Sequence, residues 1–323
     1  VLRPRSEIDV RFLYYATICR PFREIGVAMM KGSAGQKRIP AGFLSDFVMP
    51  FPDIEEQRLI VRFLDYSVHL MNHLIRAKRQ QIKLLIEQKQ VIINQAVTRG
   101  LDPGVRLRPS GVDWVSDIPE HWEAVRVGTI VCSLQTGPFG SQLHAHEYKP
   151  NGIPVINPSH MINGKVCPDP GCAVDLEKAS ELSRHRVQVG DIVFARRGEL
   201  GRCVLVRERE AGWLCGTGSL RMRLLDGVSY PEYMIQLFCS KGVAEWLSLQ
   251  SVGSTMENLN TSILARLPLP LPPMDEQKAI VDYLNDRCVV IDRVIENTQL
   301  ELNLLHEYRT RLIADVVTGK LDV

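Results

Sequence analysis

The chain has 323 residues, of which 45% are hydrophobic and 24% are charged, and its formal net charge is +2. These values are typical of a globular protein with two or three modules and argue against long disordered regions. No apolar run approaches the roughly 20 residues of a membrane-spanning helix, and the charged first residues lack the apolar core of a signal peptide, so we expect a cytoplasmic protein. A net charge this small does not by itself indicate a nucleic-acid partner.

The eight cysteines are scattered along the chain. The closest pair, Cys167 and Cys172, has no second pair and no His-x-x-x-His to complete a zinc site. We therefore expect no metal site and predict reduced, mostly buried thiols.

The segment MPFPDIEEQRLIVRFL (49–64) recurs in altered form as LPLPPMDEQKAIVDYL (269–284). The two copies align without a gap at a shift of 220, and VTRGLD (97–102) aligns with VTGKLD (317–322) at the same shift. The chain therefore contains a duplicated unit of about fifty residues, and the duplication includes the residues that end the unit.

Each copy predicts one long helix, because acidic residues occupy its first turn and no Gly or Pro follows for more than forty residues. Seam positions then alternate in steps of three and four, from Val61 to Ala96 and from Val281 to Val316. Each seam is interrupted by polar residues at the same two equivalent positions, Lys78 and Lys89 in the first copy and Thr298 and Arg309 in the second. We predict a helix-pair core that contains Val61, Leu64, Met71, Ile75, Leu85, Ile92, Val281, Leu284, Ile291, Ile295, Leu305 and Leu312.

Such heptad seams predict that the two helices pack on each other as a coiled coil. If the helices run antiparallel in matching register, Val61 lies near Val316. The alternative is that each helix packs separately on its own globular neighbour, with the wider apolar face typical of that arrangement. The charged outer faces are interpreted as solvated surface, part of which docks a partner protein in an alternative interpretation.

Residues 103–272 form the one complete module between the helices. Short runs such as GDIVFARRG (190–198) and LRMRLL (220–225) predict strands, and residues 231–250 predict helix. The exit segment LPLPLPP has Pro at alternate positions, which favours an extended, poorly paired edge segment. The predicted fold class is α+β, with two long antiparallel helices beside the mixed module.

Positive charge is concentrated between Arg184 and Arg223, where nine Arg, no Lys and four acidic residues give a formal charge of +5. Strand alternation predicts Arg221 and Arg223 on one face of LRMRLL and the apolar residues on the other. An Arg side chain can bridge two phosphate oxygens or the acceptors of guanine. The stretch therefore favours a DNA-binding face, and the alternative is a solvated basic sheet face.

Two glycine-rich loops, TGPFGSQLH (136–144) and SVGSTMENLN (251–260), are further candidates, since glycine lets backbone approach a duplex closely. Either loop is also consistent with an ordinary turn. The candidate DNA-binding residues are Phe139, Ser141, His144, Arg196, Arg197, Arg202, Ser219, Arg221, Arg223, Thr255 and Asn258.

No catalytic residue is predicted. NPSHM (157–161) lacks the second Pro and the aromatic residue of the adenine-methyltransferase motif, and GTGS (216–219) is not followed by a helix that would complete a cofactor-binding turn. The PD at 168–169 misses the spacing of common nucleases by one residue.

Five sequence segments, taken together and in their order along the chain, resemble the specificity (S) subunit of type I restriction-modification enzymes. They are PSGVDWVSDIPEHWE (109–123), TGPFGSQLH (136–144), NGIPVINPSHM (151–161), GDIVFARRGELGRC (190–203) and LPLPPMDEQKAIVDYL (269–284). The resemblance implies two target recognition domains, each reading half of a bipartite DNA sequence, joined by two long antiparallel helices.

The resemblance also implies partners: double-stranded DNA, two methyltransferase subunits and motor-nuclease subunits. These partner subunits are expected to use S-adenosylmethionine, ATP and Mg, whereas this chain is expected to bind no cofactor and to perform no chemistry.

The front of the chain departs from the family pattern. VRFLYY (10–15) aligns with PEYMIQ (231–236) at a shift of 221, so about 107 residues of a first recognition domain are expected before Val1. The predicted domains are therefore the remnant of the first recognition domain (1–53), the central helix (54–102), the second recognition domain (103–272) and the C-terminal helix (273–323).

As given, the chain is expected to bind one half-site unless two copies associate through their helices. The alternative is a truncated S-like remnant, or a stored recognition cassette without working specificity of its own. A stand-alone DNA enzyme is the third possibility, and it requires a cofactor or metal motif that the sequence lacks.

Overall fold

The computed structural model describes residues 5–32, 37–162, 164–198, 201–251 and 259–323. The α-helices in these ranges are α1 (Val10–Ile18), α2 (Arg20–Ala28), α3 (Ala41–Asp46), α4 (Ile54–Arg99), α5 (Leu176–Glu181), α6 (Pro231–Phe238), α7 (Lys241–Ser251), α8 (Thr261–Arg266) and α9 (Met274–Val317). The strands are β1 (Leu107–Val112), β2 (Val115–Pro119), β3 (Glu123–Arg126), β4 (Val131–Thr136), β5 (Ile153–Ile156), β6 (Met161–Ile162), β7 (Lys165–Val166), β8 (Ala173–Val174), β9 (Ile192–Ala195), β10 (Cys203–Leu205), β11 (Leu214–Cys215), β12 (Ser219–Leu224) and β13 (Pro268–Leu271). None of the described helices is long and apolar enough to cross a membrane.

The chain divides into two units, each of which contains part of both long helices. The first unit comprises residues 1–86 and 291–323, and the second comprises residues 87–290. The predicted α+β class with two long antiparallel helices is confirmed.

In the first unit, α4 and α9 pack antiparallel. The Lys78 Nζ lies 2.5 Å from the Glu301 Oε2, while the Arg309 guanidinium donates to the Asn72 Oδ1 at 2.5 Å. From the first pair to the second, the residue number falls on α4 and rises on α9, as it does between antiparallel helices. Val61 and Val316 belong to the same buried cluster, as the antiparallel register predicts.

The seam predicted from the sequence is the buried stripe of both helices. Every position that steps by three and four from Val61 to Ala96, and from Val281 to Val316, is buried or half-buried. In the second unit, Ala96 lies in one buried cluster with Val281, which repeats the antiparallel pairing seen in the first unit. The helices therefore bury a narrow seam against each other, as in a coiled coil.

The short helices are duplicated as well. The starts of α1 and α6 differ by 221 residues, as do those of α2 and α7, whereas those of α3 and α8 differ by 220. The change of shift falls between α2 and α3, where the sequence alignment also requires one extra residue. The duplication thus includes three short helices upstream of each long helix.

The second unit contains the strands. A four-stranded antiparallel sheet has the order β10-β9-β12-β4, and a smaller sheet has the order β11-β5-β8, in which β11 and β5 are parallel. One face of the larger sheet packs through Phe194, Leu220 and Met222 against the cluster that includes α6, α7 and α8. Its other face packs through Val193 and Ala195 on residues of the smaller sheet and its surroundings.

The Pro-rich exit segment is better paired than expected. β13 pairs antiparallel with β3 over four residues, from Pro268 opposite Arg126 to Leu271 opposite Glu123. This two-stranded ladder is compatible with alternate prolines because only every second residue must bond to β3.

The prediction that the thiols are mostly buried is wrong. Cys19, Cys203 and Cys215 are buried, but Cys132 and Cys167 are exposed, and Cys172 and Cys288 are half-buried.

Candidate nucleic-acid interface

Five strand ends converge at one end of the second unit. Because β12 is antiparallel to β4 and β9, its start at Ser219 lies beside the ends of those strands, with Leu220 opposite Thr136 and Ser219 opposite Ala195. The parallel strands β5 and β11 end at the same place. We call this region the loop end and define it as residues 137–142, 157–159, 196–198 and 216–218.

Backbone groups connect these loops. The Gly137 N–H donates to the Ser219 carbonyl at 2.9 Å, and the Gly216 N–H donates to the Ile156 carbonyl at 2.9 Å. The Arg196 N–H donates to the Gly218 carbonyl at 2.9 Å. These bonds join the ends of both sheets into one frame.

Two glycines are required for this close approach. A Cβ at Gly137 would overlap the carbonyl oxygen of Gly216, and a Cβ at Gly216 would overlap the Asn157 side chain. A Cβ at Gly216 would also lie too close to the Ile156 carbonyl oxygen. Since backbone cannot move aside as the end of a flexible side chain can, the loop end depends on glycine at both positions.

Several side chains project from this frame. Phe139 is 59% exposed, which is unusual for a phenylalanine in a folded domain. Arg197, Ser141 and Thr217 are also exposed. The loop end thus presents an aromatic ring, a cation and hydroxyl groups on a fixed backbone.

Arg221 does not lie on an open face, as the sequence suggested. The alternation along β12 is as predicted, but the smaller sheet and the segment around residue 185 cover the arginine side, and Arg221 is only 7% exposed. Its Nη1 donates to the carbonyls of Arg184 (3.1 Å) and Arg186 (2.8 Å). Its guanidinium therefore supports the chain's own backbone.

Arg223 is engaged within the protein as well. Its Nε and Nη2 donate to the two carboxylate oxygens of Asp191 at 2.8 and 2.7 Å, in the bidentate geometry that arginine favours. Asp191 is 1% exposed, and this bond is the main cause that raises the pKa of Arg223. The local charge of +5 is thus partly neutralised inside the domain.

Arg196, Arg202 and Ser219 also have structural surroundings. The Arg196 Nε donates to the Leu259 carbonyl at 3.0 Å, and burial, together with the neighbouring charge of Arg197, lowers the pKa of Arg196. Arg202 is half-buried. The Ser219 hydroxyl is fully buried and donates to the Ile156 carbonyl at 2.8 Å.

The remaining candidates are split between surface and undescribed segments. His144 is exposed, and its ring stacks on that of His146 with a centroid distance of 5.5 Å. Thr255 and Asn258 lie outside the described residues.

His185 is a buried base behind the arginines. It accepts a hydrogen bond at Nε2 from the Arg184 Nε at 3.0 Å, which requires a neutral imidazole. Burial, together with the charge of Arg184, lowers the pKa of His185 to about 4. His185 could not be identified from the sequence, because an isolated His in a basic stretch has no spacing signature.

A polar group at the loop end is not evident from the sequence. The Tyr148 hydroxyl lies close to the side chains of Asn157 and Thr217, and burial raises the pKa of this hydroxyl. Asn157 and Thr217 belong to the two phrases that were tested only as catalytic motifs, NPSHM and GTGS. The sequence signal that could have identified them is a polar residue next to glycines in a short loop, such as Thr217 between Gly216 and Gly218.

The exposed groups of the loop end have the chemistry of a DNA-binding surface. They are a cation, hydroxyls and an aromatic ring, which match phosphate oxygens, base edges and base planes respectively. In the part of the chain that the structure describes, no cluster of three or more His, Cys, Asp or Glu is placed to hold a metal ion.

This fold, a module of mixed strands and helices with a pair of long antiparallel helices, is shared with solved chains of type I restriction-modification systems. A chain from a structure on the complex assembly and conformational transition of the type I R-M system superposes with a TM-score of 0.72 at 18% identity, covering 99% of this chain and 74% of that one. The HsdS subunit from Thermoanaerobacter tengcongensis gives a TM-score of 0.52 at 18% identity, with 98% and 72% covered.

The family model of the type I restriction modification DNA specificity domain matches residues 119–303, and the chain belongs to this family. Among its relatives, the MjaVIII specificity subunit of Methanocaldococcus jannaschii is 21% identical, with 98% of this chain and 71% of the relative covered. The EcoKI specificity subunit of Escherichia coli is 25% identical, with 99% and 68% covered.

Proposed function

We propose that this chain is the DNA-recognition subunit of a type I restriction-modification complex, and that its second unit binds one half-site of a bipartite target. The observation that carries the proposal is the loop end, where Arg197, Phe139 and Thr217 project from a frame of backbone hydrogen bonds. Such a frame holds contact groups in place before DNA arrives, which lowers the entropic cost of binding. The chain itself performs no chemistry in this proposal.

The test is selection of bound sequences from a pool of random duplexes by the full chain, followed by affinity measurements on the selected duplex and a scrambled one. Enrichment of one short sequence block supports half-site binding, and enrichment of two separated blocks by a monomer contradicts it. No enrichment and no duplex binding would overturn the proposal and favour the remnant without working specificity.

Two arginines of the same basic stretch make a matched pair for this test. Arg197 follows β9 at the loop end, whereas Arg207 follows β10, which runs antiparallel to β9 and so leads to the other end of the sheet. Both are exposed. Arg197→Ala should weaken binding and reduce the salt slope by about one charge, and Arg207→Ala should change neither.

The proposal also assigns the helix pair as the docking surface for methyltransferase subunits, to which motor-nuclease subunits add in the restriction complex. On α4 a second apolar row, outside the buried seam, recurs at heptad spacing through Leu70, Ala77 and Leu84, all of which are exposed. Leu304 and Tyr308 are exposed on α9. An exposed apolar row on a helix fits an amphipathic partner helix.

Adjacent residues of α4 test this assignment. Leu70→Glu places a charge on the exposed row, and His69→Glu places the same charge about 100° around the helix on another exposed face. Co-purification with the methyltransferase subunits should be lost in Leu70→Glu and kept in His69→Glu. Equal retention of both variants would remove the row from the docking surface.

A further inference from the structure

Phe139 is exposed but held in place. Its N–H donates to the Gln142 Oε1, and its carbonyl accepts from the Gln142 N–H, both at 3.3 Å. The preceding Pro138 is buried, and Gly137 bonds to Ser219 and packs on the backbone of Gly216. The ring therefore extends into solvent from a loop that is fixed on both sides.

A cation lies at the same end of the sheet. Leu220 pairs with both Thr136 and Phe194, so the loops that carry Phe139 and Arg197 leave strands on the two sides of β12. Two strand spacings separate such strands by about 10 Å. The exposed Phe139 ring and the exposed Arg197 guanidinium are therefore close enough to contact the same few base pairs of a duplex.

We propose that Phe139 inserts between two adjacent base pairs of the bound duplex as an apolar wedge, while Arg197 neutralises a phosphate beside that step. The inference rests on the proposed function and names how the loop end recognises DNA. A phenyl ring cannot exchange hydrogen bonds with base edges, but proteins insert apolar side chains of this kind between base steps and kink the duplex. Fixed backbone favours this role, because a mobile loop would lose additional entropy on insertion.

The wedge selects sequence through deformability. Pyrimidine–purine steps unstack most easily, so the preferred duplex should carry such a step opposite Phe139 without any hydrogen bond to its bases. A competing arrangement has Phe139 touching a thymine methyl group in the major groove, with the stack intact. The two arrangements differ in whether a base step opens.

The experiment uses the full chain and a duplex selected by it from a random pool, with 2-aminopurine placed in turn at each position of the protected region. The wild-type complex should raise the fluorescence at one step, and Phe139→Ala should abolish this rise with a roughly tenfold to hundredfold loss of affinity. Phe139→Leu, which keeps a large apolar side chain, should retain part of both effects.

Leu176→Ala is the control for loss of an exposed apolar side chain. Leu176 is 73% exposed, and it follows β8, which runs antiparallel to β5 and so ends away from the loop end. This variant should keep both the fluorescence change and the affinity of the wild type.

The outcomes separate this inference from the proposed function. If the wild-type chain binds its selected duplex but no step opens, or if the opening persists in Phe139→Ala, the wedge is overturned and DNA recognition stands. If the chain selects and binds no duplex, the proposed function is overturned, and the wedge with it.

Discussion

Gln57 and Gln277 make the same three hydrogen bonds, each in its own copy of the duplicated unit. The Gln57 Nε2 donates to the carbonyls of Pro52 (2.9 Å) and Glu7 (3.1 Å), and its Oε1 accepts from the Asp9 N–H (2.8 Å). Its side chain is fully buried. One amide thus joins the start of α4 to the segment before α1.

Gln277 repeats this pattern at the start of α9. Its Nε2 donates to the carbonyls of Pro272 (2.9 Å) and Val228 (3.4 Å), and its Oε1 accepts from the Tyr230 N–H (2.7 Å). The duplicated EQ dipeptide is therefore a structural joint, since a buried amide that satisfies three backbone groups fixes how the chain enters the helix.

Gln277→Leu should lower the free energy of unfolding by roughly 1–3 kcal/mol, because it leaves three backbone groups without this partner, and the bond to the Pro272 carbonyl is buried. Gln57→Leu should have a cost of similar size for the same reason. Urea unfolding followed by circular dichroism measures both, and tryptophan fluorescence reports the second unit, which contains all four tryptophans. The exposed neighbours Arg58→Ala and Lys278→Ala are the controls, and a cost as small as theirs would contradict the joint.

Leu64→Ala should destabilise the first unit by about 2–5 kcal/mol, because Leu64 is fully buried in the seam and its loss leaves a cavity. Leu70→Ala, on the same helix but 57% exposed, should cost less than about 0.5 kcal/mol. Urea denaturation gives both values. Similar costs for the two variants would argue against the assigned seam.

Arg221→Met should act on stability rather than on DNA. The variant keeps an apolar stem but removes the hydrogen bonds to the Arg184 and Arg186 carbonyls, at a cost of about 3 kcal/mol. The salt slope of DNA binding by the folded variant should equal that of the wild type. A slope reduced by one charge would instead mean that Arg221 reaches a phosphate in the complex.

Acid should destabilise the second unit through His185. The pKa of His185 is lowered to about 4 in the folded chain, whereas it returns to about 6.5 on unfolding. Between these values the unfolded chain binds a proton that the folded chain does not, so stability is present above about pH 6.5 and is lost as the pH falls. The full loss is on the order of 3 kcal/mol.

The measurement is urea unfolding, followed by tryptophan fluorescence, at about pH 7 and about pH 4.5. His185→Gln should lack most of the pH-dependent loss, whereas His69→Gln, at an exposed position, should keep it. An unchanged pH dependence in His185→Gln would show that another group titrates.

The sequence predicted the helices and their seam well because a heptad pattern is local and each position fixes its neighbours. It also predicted the alternation along β12, which has a period of two. It could not predict that the arginine side of β12 is covered, since that depends on how β5 and β11, distant in sequence, pack on the larger sheet.

The loop end was predicted only in part. Phe139 and Arg197 were identified from composition and are exposed, whereas Asn157 and Thr217 were overlooked because their phrases were compared only with catalytic motifs. No local pattern shows that Gly137 and Gly216 meet. That contact exists only after strands more than seventy residues apart are paired.

The bonds that join the loops have a consequence for how recognition changes over time. Gly137, Gly216 and Arg196 connect the loops through peptide groups, which every residue except proline carries. Exposed positions such as Phe139 and Arg197 can therefore accept new side chains while the connecting bonds persist. A lineage can acquire a different target preference by single substitutions at this end, without first passing through an unstable domain.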